Sequence, residues 1–193
     1  MRAKTPILAR AALLLVLTLA QPVPAGEASV PPRLQATLIA RVAPFDRSLA
    51  ARAGSRVLLL VAVRRDDAGS QQLAAELIDA LKSETQIAGI PLEVARVEVS
   101  AARELVDVIR ARHPAIVYLS TALSGEAPAL AESLAGEDLL TMAAESAAVQ
   151  RGICVGFDLV SGKPRVLINL TGSKKQHVNF QAALLHLAKV VDQ

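Results

Sequence analysis

Tryptophan is absent from this 193-residue chain, and the aromatic side chains are only four: Phe45, Tyr118, Phe157 and Phe180. So few flat faces leave little for bases to stack on, which argues against a nucleic-acid surface. Cysteine is almost absent as well. Cys154, being alone, cannot close an internal disulfide, so an aliphatic core must supply the stability. Histidine is scarce, and none of His113, His177 and His186 stands three or four residues from another histidine or from Cys154. No metal-ligand pair therefore shares a helix face, and no metal is expected. No GxxxxGK or GxGxxG run is present to converge amides on a phosphate, and no GxSxG turn to present a serine nucleophile. These absences assign no catalytic, cofactor or metal residue, leave the binding residues unknown, and point away from an enzyme. Internal repeats and low-complexity stretches are also missing.

What is present begins at the amino terminus. Arg2, Lys4 and Arg10 precede the apolar run AALLLVLTLA, which is followed by QPVPAG with Pro22, Pro24 and small residues at Val23 and Ala25. A basic start, a short apolar segment and a small-x-small site compose a secretory signal peptide, residues 1–25, with the cut expected after Ala25. A membrane span needs about 20 apolar residues, and this run is about half that. The segment holds three of the chain's 21 basic residues and none of its 18 acidic ones, so removing it leaves 18 of each. The alkaline balance belongs to the targeting segment, and no basic field remains to attract phosphate backbones. The 168 residues that remain of 193 suit one domain in the envelope, with no further run long enough to span a bilayer.

Residues 26–32, GEASVPP, read as a linker, and 33–193 as the domain. Leu34, Leu38, Val42 and Phe45 follow helical spacing over 33–45. RVLLLVAV at 56–63 is a continuous aliphatic run, the mark of a strand covered on both faces. A helix with Ser70 as its expected N-cap follows, carrying Ala74, Leu77, Ile78 and Leu81. Strands at 92–99, 115–119 and 139–143 then alternate with helices bearing Leu105, Val106 and Ile109, capped by Ser100, and over 127–134. Alternation predicts parallel strands with helices on both faces. Two apolar strands at 153–160 and 165–170, separated by SGKP, predict a closing antiparallel hairpin. Phe180, Ala183, Leu184, Leu187 and Val191 predict a final helix. The fold class expected is three-layer α/β, with a flavodoxin-like mixed sheet, a C-terminal antiparallel hairpin and a final helix.

Open α/β sheets take ligands beyond the carboxyl ends of their strands, where the strand order switches. That places a crevice between Arg64, Arg65, Asp66 and Asp67 on one loop and Ser120, Thr121, Ser124 and Glu126 on another. The plainer reading, a solvated charge run beside a serine-rich loop, is preferred. Cys154 lies in the aliphatic stretch ICVGF and reads as an inert core thiol. Asn169-Leu170-Thr171 matches a glycosylation sequon but ends a core strand, so it reads as coincidence. Lys174, Lys175 and His177 make a small basic cluster, read as solvation.

From Glu145 the chain runs ESAAVQRGICVGFDLVSGKPRVLINLTGSKKQHVNFQAALLHLAKVV, and its first helix ends ARVAPFDR. This pattern resembles the YfiR-like family of bacterial periplasmic proteins. Gly152, Ile153, Val155, Pro164, Val166, Ile168, Asn169 and the Ala183, Leu184, Leu185, Leu187, Ala188 series stand at the family's landmarks. The chain departs from it in having few aromatics in the first helix, Gln181-Ala182 before LLxLA, and no cysteine pairs, so disulfide control is not expected. The resemblance implies regulation: a periplasmic protein that restrains a membrane-bound signalling partner such as a diguanylate cyclase, with a homodimer expected. The alternative from another class is a periplasmic small-ligand-binding module allied to transport.

Overall fold

A computed structural model of the chain describes residues 30–191. The expected signal peptide, its cut after Ala25 and residues 26–29 of the expected linker lie outside them. The first helix, α1 (Pro32–Val42), uses Pro32 in its first turn, where the missing N–H costs nothing, and it buries Ala36, Ile39 and Val42. A 3-10 turn, Ala43–Phe45, and α2 (Leu49–Ala53) lead to β1 (Val57–Arg64). Val57, Leu59, Val61 and Val63 enter the core on one face of the sheet, and Leu60 and Ala62 enter a second core on the other. Both faces being covered is why the run is apolar without alternation.

The chain continues through α3 (Ala68–Leu81), the two-residue β2 (Gln86–Ile87), β3 (Ile90–Val99), α4 (Ala102–Arg112) and β4 (Ile116–Leu119). After a 3-10 segment, Thr121–Glu126, come α5 (Ala127–Ser133), β5 (Leu140–Ala143), α6 (Ser146–Gln150), β6 (Val155–Val160) and β7 (Lys163–Asn169). The chain closes with α7 (Leu170–Lys175), α8 (Ala182–Leu187) and β8 (Lys189–Val191). One sheet has the order β2-β3-β1-β4-β5-β6-β7-β8. The five strands from β3 to β6 in that order are parallel, and numbered among themselves they run 2-1-3-4-5, the flavodoxin-like order. β6 and β7 then pair antiparallel, so the mixed three-layer α/β sheet read from the sequence is the fold.

Several local expectations need correction. The N-cap of α3 is Asp67, whose Oδ1 accepts from Ser70 N at 2.5 Å; a carboxylate at that place also favours the helix dipole. Ser100 does not cap α4. Instead Glu104 reaches back and its Oε2 accepts from Ser100 N at 2.8 Å. The hairpin turn is tighter than SGKP, with only Ser161 and Gly162 between the strands, both at positive φ (51° and 74°), as a two-residue primed turn requires. The final helix stops at Leu187, which is 80% exposed, and Lys189–Val191 adds a parallel strand to β7. The open backbone edge of β7 offers hydrogen bonds that another helical turn would leave unused, and two adjacent valines favour the extended form.

Val30 is buried, although it falls in the segment read as linker. The two ends of the domain are tied by ARVAPFDR. Asp46 Oδ1 accepts from Asn179 N at 3.0 Å, Arg47 N donates to Asn179 O at 2.9 Å, and Gln181 N donates to Phe45 O at 2.9 Å.

Candidate functional site

β1 and β4 lie side by side, and the chain leaves them in opposite directions along the sheet, toward β3 and toward β5. Where a crevice was expected between their loops, the chain's own Arg64 bridges them. Arg64 Nε donates to Ala122 O at 3.1 Å, Nη1 to Ser100 O at 3.0 Å, and Nη2 to Glu126 Oε1 at 2.8 Å. Of the eight residues named for the crevice, Arg64 and Glu126 are thus brought into contact. Arg65 turns away, to Ser100 Oγ, Glu98 O and Glu104 Oε1. The Ser100 N–H first, and then the Arg65 guanidinium, hold the Glu104 carboxyl below its usual range. Asp66 and Thr121 face solvent, and Asp67 caps α3.

Beside this crevice, on the α1 and α3 face, a small notch closes over the carboxyl end of β4. Val30, Pro32, Gln35, Leu73, Ala74, Tyr118 and Ala144 line it, together with Ser70, Ser120 and Thr121. The remaining cavity is about 20 Å³, room for one water. Tyr118 donates from its hydroxyl to Gln35 Oε1, and Gln35 Nε2 donates to Val30 O at 2.7 Å. Burial, and then the nearby Glu145 charge, push the Tyr118 phenol well above its ordinary value, so it stays a neutral donor. Ser120 Oγ is buried with no hydrogen-bond partner among the described residues.

Cys154 is buried, as expected, but its surroundings are not purely aliphatic. Its Sγ lies 3.3 Å from Thr141 Oγ1 and 3.2 Å from Gln176 Oε1, and its backbone N–H donates to Thr141 Oγ1 at 3.2 Å. Burial raises the thiol above its ordinary range. His113 is the left-handed C-cap of α4, and His177 Nδ1 lies 2.7 Å from Asp138 Oδ1 at the surface. His186 and the last-turn lysines of α7, Lys174 and Lys175, are exposed. Among the described residues no group of three or more His, Cys, Asp or Glu side chains converges.

Two buried residues matter more than composition suggested. Asn169 Nδ2 donates to Val149 O at 2.8 Å, and its Oδ1 accepts from Gly172 N at 2.7 Å, capping α7. A sequon asparagine locked this way has no amide free for a glycan. Asp46 is fully enclosed and pairs with Arg52 at 2.8 Å, the two side chains being 0% and 5% exposed. Neither stood out by periodicity; Asn169 stood out only as a sequon residue, and both lie in stretches resembling the family's landmarks.

The fold is a three-layer α/β fold with a mixed sheet, and longer proteins of known structure share it. A conserved domain protein from Vibrio cholerae O1 biovar El Tor superposes with a TM-score of 0.62 at 13% identity, over 86% of this chain and 61% of that one. The ABC domain from Streptococcus pneumonia, in complex with L-Trp, gives 0.59 at 12% identity, over 83% and 62%. A ligand-free, open substrate-binding protein with adhesive properties from Clostridium difficile gives 0.55 at 14%, over 76% and 58%. The chain spans about three fifths of each of these longer proteins. A comparison with curated proteins yields no match. The YfiR/HmsC-like family model matches residues 33–189, and the chain belongs to that family. The family is one of periplasmic regulators, and no described helix is long and apolar enough to cross a membrane.

Proposed function

We propose that this protein is exported by a signal peptide cleaved after Ala25 and restrains a membrane-bound signalling partner, such as a diguanylate cyclase, by binding the partner's periplasmic part. The domain would then be residues 33–193, preceded by the short segment 26–32, and self-association is expected from the same resemblance. The observation that carries this reading is the family match over residues 33–189. The geometry is in keeping with it. The switch-point crevice, where an α/β enzyme would hold substrate, is bridged by the Arg64–Glu126 ion pair, and no nucleophile with a positioned base converges there among the described residues. The test is a pull-down from envelope membranes with the tagged mature chain from Gly26 onward. Recovery of an inner-membrane cyclase with a periplasmic domain supports the reading; its absence, under conditions that retain other envelope complexes, contradicts it.

A second reading, a small-ligand-binding module, is favoured by one observation: the apolar notch with an unpartnered hydroxyl at Ser120. Two of the longer proteins sharing the fold are described as bound to L-Trp or as binding substrates. Melting shifts with envelope extracts would register such a ligand.

A further inference from the structure

We propose that the notch at the carboxyl end of β4 is a binding site for a neutral, phenol-sized molecule, and that Val30 is a strap that closes it in the unliganded protein. The inference rests on the ligand-binding reading and is independent of the regulatory one. Val30 is 1% exposed although it precedes the first helix, and it packs in the notch with Leu73, Ala74, Tyr118 and Ala144. An aliphatic side chain this close to the end of a domain is buried only where a complementary apolar surface already exists. Beneath it, Ser120 is 4% exposed and its Oγ has no partner among the described residues. The cavity beside it has room for one water, and a ligand hydroxyl would take that water's place against Ser120.

The chemistry of the walls sets the ligand class. No lining residue carries a charge. Tyr118 is committed to Gln35, and Ser70 Oγ donates to Asp67 O at 3.2 Å, so Ser120 is the buried hydroxyl left over. The best match is an apolar ring against Leu73, Ala74 and Ala144, with one uncharged hydroxyl toward Ser120. Leu73, 43% exposed, stands at the mouth. Among the described residues the strap is held through Gln35, whose Nε2 donates to Val30 O at 2.7 Å and whose N donates to Pro31 O at 3.0 Å. With the strap seated, about 20 Å³ remains, whereas a cavity known to take benzene is about 150 Å³. Entry therefore requires the strap to leave.

Phenol itself is the probe, titrated into the mature chain and followed by methyl NMR. Saturable shifts are expected at Leu73, Ala74 and Ala144, together with movement of the Val30 methyls toward random-coil positions. Val30→Gly should bind phenol at least tenfold more tightly, and adding Ser120→Ala should remove most of that gain. Equal affinity for wild type and Val30→Gly, or no saturable shift at these methyls, overturns the proposal. Should Val30→Gly fail to fold, the wild-type Val30 methyls decide: unmoved at saturating phenol, they overturn the strap. A melting shift with envelope extract but none with phenol would overturn this site while leaving the ligand-binding reading standing.

Discussion

The parallel half of the sheet and its C-terminal half are built on different principles. In β1, β4 and β5 nearly every side chain is buried, because helices cover both faces, and the strands are specified by apolar residues in bulk. From α6 onward the helices are only five or six residues long, and individual polar and glycine residues hold them. Asn169 links the end of β7 to α6 and caps α7. A Cβ on Gly172 would stand 2.3 Å from Gly152 O, and one on Gly152, at φ +106°, would stand 2.6 Å from Ala131 Cβ. Bulk hydrophobicity can be read by period, whereas a close approach or a single capping amide cannot.

The contrast can be broken most forcefully at the tie between the two ends. Asp46→Ala strands the Arg52 guanidinium, whose Nε and Nη2 already have no partner among the described residues. Removing one member of a buried ion pair costs about 3–5 kcal/mol. In the parallel half, Leu60→Ala costs about 2–5 kcal/mol through the cavity it leaves. Urea unfolding of both variants checks the expectation that one carboxylate in the tie matches a large apolar deletion in the sheet. Next in size, Asn169→Ala unpairs Val149 O and Gly172 N, for a loss of about 1–3 kcal/mol by the same measurement. A smaller effect separates two neighbours: Asp67→Ala should cost about 1 kcal/mol as a lost cap, and Ser70→Ala less.

Where the sequence was legible, bulk pattern carried it. The continuous run at 56–63 and the stripe of Leu105, Val106 and Ile109 lie on β1 and α4, and the sheet class follows from their alternation. The stripe of Phe180, Ala183, Leu184, Leu187 and Val191 holds for the helix Ala182–Leu187 but fails at Val191, because helical spacing in so short a segment cannot foresee an open strand edge nearby. The strand order reverses at β1 and β4 as expected, but Arg64 bridging the two loops depends on loop backbone carbonyls that no residue pattern encodes. The notch was missed for a related reason: Val30 and Gln35 meet Tyr118 from more than eighty residues away.

The mildest perturbation at neutral pH is also the cleanest to read, since Tyr118 is the only tyrosine. Its folded-state value is raised, so its contribution to stability is intact below the ordinary tyrosine value of about 10 and is lost as pH rises beyond it. Ultraviolet titration should show no tyrosinate in the native protein near pH 10, with ionisation appearing only as the fold opens. Ionisation at the ordinary value without unfolding would mean that the notch is open to water.

The central claim, restraint of a membrane-bound cyclase, is tested most directly by cyclic-di-GMP levels in cells lacking this protein. A rise is expected on deletion, reversed by the exported wild-type chain and not by a chain whose residues 1–25 are removed. Unchanged cyclic-di-GMP on deletion, in cells where the protein is demonstrably made, would contradict it.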